Sequence, residues 1–243
     1  MLLPFSGRAV NQSVTNTCNR LLKGLSSEDL ALLAPHLSFE TLPLRRPVES
    51  PNLPIENCYF VESGIVSVVA KSTRDRSAEV GLVGPEGMTG VAVVMGDDRS
   101  PNDTYVQMAG SGHRLPADRL REAIAASPTL HKRLLHYAQA FLIQTVQTAL
   151  ANGTAKIGER LSRWILMSHD RIGHNDLPLT HEFLSIMLAV RRPGVTDALH
   201  QLEGRGLIRS TRGQISVVDR AGLIKVAEGS YGVPEAEYER LLG

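Results

Sequence analysis

The 243-residue sequence predicts an α+β chain with three parts: an antiparallel β-rich N-terminal region, a long helix and a C-terminal winged helix-turn-helix. Three observations predict it. Short β-branched runs separated by Gly, Pro and Asp fill residues 38–114. A helical period takes over across 116–150. Two short helical segments and a hairpin pattern then occupy 177–218.

In chain order, residues 19–35 read as helix, with Leu21, Leu22, Leu25, Leu30, Leu32 and Leu33 as the apolar positions. Ser26 and Ser27 before Glu28 and Asp29 form an N-cap signal for a second turn or short helix. Residues 58–61, 64–70, 78–83 and 104–109 read as strands, and 91–95 as a short helix or strand. Turns are expected at Glu62-Ser63-Gly64 and Gly96-Asp97-Asp98. Such spacing indicates a sandwich or barrel.

On the long helix, Leu130, Leu134, Tyr137, Phe141, Gln144 and Thr148 follow an a/d period. This seam is assigned to dimerisation. Leu135, Leu142 and Val146 lie off it, so one apolar stripe serves the chain's own domain and the other a second chain. Asn152-Gly153-Thr154 is expected to interrupt the helix, because Gly costs about 1 kcal/mol in a helix interior. The organisation expected is therefore residues 1–115 as a β-rich domain with an N-terminal helix, 116–153 as the long helix and hinge, and 154–243 as the helix-turn-helix domain. Rotation about residues 152–156 is the expected switch.

In the C-terminal part, Thr180 is placed as an N-cap, followed by helix 181–188, a tight turn at Ala189-Val190-Arg191 and a second helix over 192–203. Val195, Ala198, Leu199 and Leu202 form its buried face. Arg191, Arg192, Thr196, Asp197 and His200 form its polar face, suited to a major groove. Pro193 fits the first turn, where its missing N–H costs little. Gly194 is expected to let the helix start approach DNA closely. Strand 207–209, a turn over 211–214 and strand 215–218 make the wing. Residues 154–218 hold nine Lys and Arg against six Asp and Glu, a local basic excess.

Composition narrows the classes. Hydrophobic residues at 42% and charged residues at 21% are an ordinary globular balance. A formal net charge of +1 excludes a polybasic wrapper but not a local DNA-binding patch. Two cysteines, Cys18 and Cys58, are too few for a disulfide scaffold or a four-cysteine cluster, and read as free thiols. Residues 1–16 carry no apolar core of signal-peptide length, and no stretch approaches the roughly 18 apolar residues of a membrane span. The chain is expected to be soluble and cytoplasmic, with no membrane partner.

From about Arg20 to Asp219 the sequence resembles the cyclic-AMP receptor protein and FNR family of bacterial transcription regulators. The resemblance is carried by residues 59–66 (YFVESGIV), 84–90 (GPEGMTG), 157–161 (IGERL) and the segment 179–218. It implies a cyclic-nucleotide-binding-like β-roll (jelly roll), a dimerising helix and a winged helix that reads a palindrome in double-stranded DNA. It places an effector site around Gly84, Glu86, Gly87, Gly90, Arg99, Asp103, Thr104 and Thr145. It gives Arg191 and Arg192 most of the base reading, and Thr180, His181, His200, Arg209 and Arg212 the phosphates.

Departures from the family matter. Gly90-Val91-Ala92 stands where a cyclic-AMP site has Gly-Glu-Leu, and Asn102-Asp103-Thr104 where it has Arg-Ser-Ala. Without that Arg a phosphate loses a bidentate, charge-assisted partner, and Asp103 repels it. Cyclic AMP is therefore not the expected effector; the effector is unidentified, and no cofactor is identified. Cys18 alone cannot supply an N-terminal cysteine cluster. A haem-binding branch stays open, but His36, His113, His131 and His136 sit in no constraining motif. Pro193 and Asp197 replace two of the family's base-reading residues, which predicts a different half-site. Two alternatives accompany this reading: a constitutive DNA-binding regulator with a vestigial sensor, and a cupin-like metalloenzyme. The second lacks clustered His and carboxylate ligands on its strands. The acidic tail, 234–243, reads as a solvated terminal helix for which RNA polymerase is a candidate but unsupported partner.

Overall fold

The computed structural model describes residues 16–72 and 77–243; the reading of residues 1–15 as free of a leader lies outside them. The described residues open with two short helices, α1 (Arg20–Lys23) and α2 (Ser27–Leu33), and a single turn of 3-10 helix. Asn19 caps the first, accepting from the Leu22 amide at 3.1 Å. Ser26 caps the second, accepting from the Asp29 amide at 3.1 Å.

Five antiparallel strands follow: β1 (Ser38–Leu42), β2 (Pro47–Glu49), β3 (Asn57–Lys71), β4 (Ser77–Val83) and β5 (Asp103–Pro116). Their order is β1-β5-β3-β4, with β2 also paired to β5. The turn expected at Glu62-Ser63-Gly64 is absent. One 15-residue strand runs through it, with register shifts between Val61 and Val66. Gly64 has φ +83, and a Cβ there would lie 2.5 Å from the Met108 carbonyl. The glycine therefore makes a bulge against β5 rather than a reversal. Residues 91–95 resolve into a four-residue helix, α3 (Val91–Val94), in the β4–β5 connection.

The helical stretch begins as α4 (Ala117–Ala126), and a new helix, α5 (Pro128–Thr154), starts after the Ser127 cap. The interruption expected at residues 152–154 does not occur. Gly153 is helical, has open space around it, and Thr154 donates to the Leu150 carbonyl at 2.8 Å. The chain leaves helical geometry only at Ala155, and Lys156 begins α6 (Ile157–Ile172).

The C-terminal region contains β6 (Asp176–Leu177), α7 (His181–Leu188), α8 (Arg192–Gly204), β7 (Ile208–Thr211), β8 (Gln214–Val217), α9 (Arg220–Val226) and α10 (Val233–Leu242). The three strands pair in the order β6-β8-β7, so the hairpin gains a third strand the periodicity did not reveal. One core joins the two regions. Ile65, Leu82 and Met108 of the β-roll share a hydrophobic cluster with Trp164, Leu184, Leu199 and Ile215. Helix α10 crosses back as well. Tyr238 and Leu242 are buried in the cluster that holds Leu130, Leu134 and Phe60. The tail expected to be solvated is thus packed on α5, because its apolar side completes the N-terminal core. Among the described residues no helix is long and apolar enough to cross a membrane.

The dimerisation seam also needs correction. Leu130 and Leu134 are fully buried, Tyr137, Gln144 and Thr148 are buried and Phe141 is half-buried, all inside this chain. Gln144 exchanges two bonds with the backbone of Leu82, accepting its N–H at 2.7 Å and donating to its carbonyl at 3.2 Å. Phe141 lies against Gly81, where a Cβ would meet the ring at 2.5 Å. The stripe left open is the other one: Leu135, Leu142, Val146 and Leu150 are 41%, 54%, 55% and 55% exposed.

Candidate nucleic-acid interface

The helix-turn-helix forms for local reasons. Thr180 accepts from the Phe183 amide at 3.2 Å and starts α7. Ala189 adopts φ +50 at the C-cap, and its amide returns to the Ile186 carbonyl at 3.1 Å. This tight left-handed step turns the chain within three residues, and Pro193 then occupies the first turn of α8. Val195, Ala198, Leu199 and Leu202 are buried, so the opposite face of α8 points outward.

That outward face meets the wing in one open groove. Thr180, His181, Arg192, Thr196, His200 and Arg212 line it. Thr196 donates to the Arg192 carbonyl at 3.2 Å, and its hydroxyl lies 3.4 Å from His181 Nδ1. Arg191, Asp197 and Arg209 are exposed but lie outside the groove lining. A Cβ built on Gly194 would lie 3.5 Å from Ile157 of α6, an ordinary contact. Sequence reasoning missed Glu182, Glu203, Ser210 and Thr211, which also line the groove. Glu182 accepts from Arg45 of the β-roll at 3.3 Å and lies 3.9 Å from Arg192. Glu203 accepts the Ser210 amide at 2.9 Å and so fixes the wing to α8. Both glutamates face residues more than five positions away, which no local pattern shows.

A polar outward face on α8, a tight turn and a three-stranded wing make a winged helix-turn-helix. A family model, the Crp-like helix-turn-helix domain, matches residues 159–226. The transcriptional regulator SdrP of Thermus thermophilus is 26% identical over 181 residues, 72% of this chain and 86% of that protein. The chain carries a Crp-like helix-turn-helix domain and is similar to transcription regulators of the CRP/FNR type. Solved structures share its fold. FixK2 from Bradyrhizobium japonicum has a TM-score of 0.69 at 17% identity, covering 78% of this chain and 96% of that one. A CRP-family transcriptional regulator from Thermus thermophilus has 0.60 at 19% identity, covering 78% and 97%.

The expected effector residues divide among three places. Gly90, Arg99 and Thr145 line a cavity of about 540 Å³ between the β-roll and α5. Asp103 instead pairs with Lys71 at the end of β3. Thr104 is buried and donates to Glu49 at 3.1 Å. Gly84, Glu86 and Gly87 lie away from that cavity. Gly87 sits under the Tyr137 ring, and a Cβ there would meet the hydroxyl at 2.3 Å. Glu86 forms an ion pair with Arg171 at 2.8 Å and accepts the Tyr238 hydroxyl at its carbonyl, 2.6 Å away.

Glu49 is the residue the sequence did not flag. Its carboxylate accepts the Gly90 amide at 2.7 Å and the Thr104 hydroxyl at 3.1 Å. Burial pushes its carboxyl up, against those two hydrogen bonds. Arg99 is exposed and held by Asp98 at 2.7 and 3.2 Å. Cys58 is buried under Gly90, and burial pushes its thiol up to about 12. Among the described residues no three His, Cys, Asp or Glu gather as metal ligands.

Proposed function

We propose that this chain is a homodimeric regulator that reads a palindrome in double-stranded DNA, with the β-roll cavity as its effector site and an effector other than cyclic AMP. One observation supports the reading most: the groove between α7, α8 and the wing gathers Arg192, Thr196, His200 and Arg212, beside Glu182 and Glu203, on an open surface. Arg192 sits where a bidentate contact to guanine O6 and N7 reads sequence, and Arg212 and His181 where phosphate contacts position the domain.

Dimerisation runs through the open stripe of α5: Leu135, Leu142, Val146 and Leu150. An isologous contact along that helix repeats the groove by a two-fold axis, and the two copies then read half-sites about 34 Å apart. Phosphate recognition of cyclic AMP finds no cationic partner at Asn102-Asp103-Thr104, and Glu49 already holds the Gly90 amide. The intact cavity of about 540 Å³ favours a liganded sensor over a vestigial one. The acidic helix α10 spends its apolar side on α5, so a contact with RNA polymerase is not part of this reading.

Selection of duplex fragments by the purified full chain at two salt concentrations tests the proposal. A palindromic consensus whose affinity falls steeply with salt supports it. No enrichment at either salt, with and without added cell metabolites, overturns it.

A further inference from the structure

The β-roll cavity has a chemistry of its own. Its walls are mainly apolar, with Val68, Val80, Val83, Met88, Phe141 and Leu142 among them. Its charge is acidic. Glu49 and Asp97 line it, and among the described residues of the lining Arg99 is the one cation, already engaged by Asp98. The Gly90 N–H of the lining and the buried Thr104 hydroxyl both point at Glu49.

We propose that this cavity takes a neutral, largely apolar small molecule, and that Glu49 is the specificity residue that turns anions away. The proposal rests on the reading of the β-roll as a sensor and names the class of its ligand. Two features combine. Burial of apolar ligand surface drives entry, and the volume falls within the range of small-molecule sites. Rejection comes from an internal carboxylate that has taken the Gly90 and Thr104 donors, so a phosphate or carboxylate ligand meets a like charge where it would need those two partners. Specificity of this kind needs a repulsive element as well as an attractive wall, and Glu49 supplies it.

Two dyes with the same ring system make the test. N-phenyl-1-naphthylamine is neutral, and 8-anilinonaphthalene-1-sulfonate carries one negative charge. Both are titrated by fluorescence into the full chain, with cyclic AMP as competitor. The neutral dye is expected to bind saturably and at least tenfold more tightly than the anionic one, with no displacement by cyclic AMP. Glu49→Gln is expected to narrow the ratio to below about threefold by strengthening the anion. Ala92→Phe and Met95→Trp, which fill the cavity, are expected to abolish the neutral signal while leaving the thermal unfolding midpoint in place. Equal or tighter binding of the anionic dye to the wild type overturns the proposal, as does displacement by cyclic AMP or an undiminished signal in both filled variants. Should Glu49→Gln fail to fold, the wild-type ratio and the filled variants decide alone. DNA selection is read separately: a chain that enriches a palindrome yet shows no preference for the neutral dye loses this inference and keeps its proposed function.

Discussion

Glu86 and Arg171 form an ion pair at 2.8 Å that ties the loop after β4 to the last turn of α6, with both side chains largely out of solvent. Burial works against the Arg171 charge, but Glu86, Glu235 and Asp170 outweigh it and hold its pKa above the ordinary value. The pair therefore joins the β-roll to the helix that leads into the DNA-reading domain. Removing one partner leaves the other charge buried without compensation, which is the costly case. Arg171→Met is expected to destabilise the chain by about 3 kcal/mol in chemical denaturation. The double variant Glu86→Leu with Arg171→Met is expected to recover more than half of that loss. A loss in the double variant equal to the sum of the two single losses would show that the pair is not coupled.

Glu79 gives a second prediction. It is fully buried on β4, and burial pushes its carboxyl up to about 8, against the hydrogen bond from Ser67 and the charges of Arg171 and Arg163. Among the described residues its Oε1 has no hydrogen-bond partner. A carboxyl raised on folding favours the folded state while both states are protonated. Its contribution is full below about pH 4.5, declines as pH rises, and is gone once pH passes the folded value of about 8. Glu79→Gln removes this titration. The variant is expected to match the wild type at pH 5 and to exceed it at pH 8.5 by up to about 4 kcal/mol. A stability difference that stays constant between those pH values would refute the assignment.

How much of this was legible depended on how local its cause is. The Thr180 cap, the Ala189 turn and Pro193 in α8 are set by neighbours within four residues, and the helix 181–188 was readable to its ends. Gly64 and Gly153 were misread because a glycine signal is ambiguous by itself. Gly64 serves a bulge because the Met108 carbonyl approaches it, and Gly153 stays helical because nothing in its surroundings favours a break. Glu49 and Glu86 were beyond reach in a different way. Their partners lie 41 and 85 positions away, and only the folded chain brings a carboxylate to Gly90 or to Arg171. The same holds for Tyr238, whose burial on the N-terminal core converts an acidic tail into part of the structure.

The groove makes separable predictions for DNA. Arg192→Ala is expected to cost about 1–3 kcal/mol and to relax preference at one base position of the half-site. Arg212→Ala on the wing is expected to weaken all sequences alike and to reduce the slope of log affinity against log salt by about 0.9 per protomer. Gly194→Ala is expected to leave binding unchanged, since its Cβ would make ordinary contact with Ile157. Competition binding against a substituted half-site series separates the three. Loss of affinity in Gly194→Ala would instead support a close approach of the helix start to DNA.

The two faces of α5 give opposite expectations for one helix. Leu134 is fully buried in the chain's own core, so Leu134→Ala opens a cavity and is expected to cost about 2–5 kcal/mol of folding stability. Leu142 is 54% exposed, and Leu142→Glu is expected to leave the fold of each protomer intact. What it changes is association, because a charge then sits in the apolar stripe with Val146 and Leu150 and must be desolvated when two copies meet. Sedimentation at micromolar concentration should show a dimer for the wild type and a monomer for Leu142→Glu, with unchanged far-ultraviolet circular dichroism. The variant should also lose affinity for a palindrome while keeping that for a single half-site, since a lone protomer engages one groove. A Leu142→Glu chain that still sediments as a dimer would move the interface off this stripe.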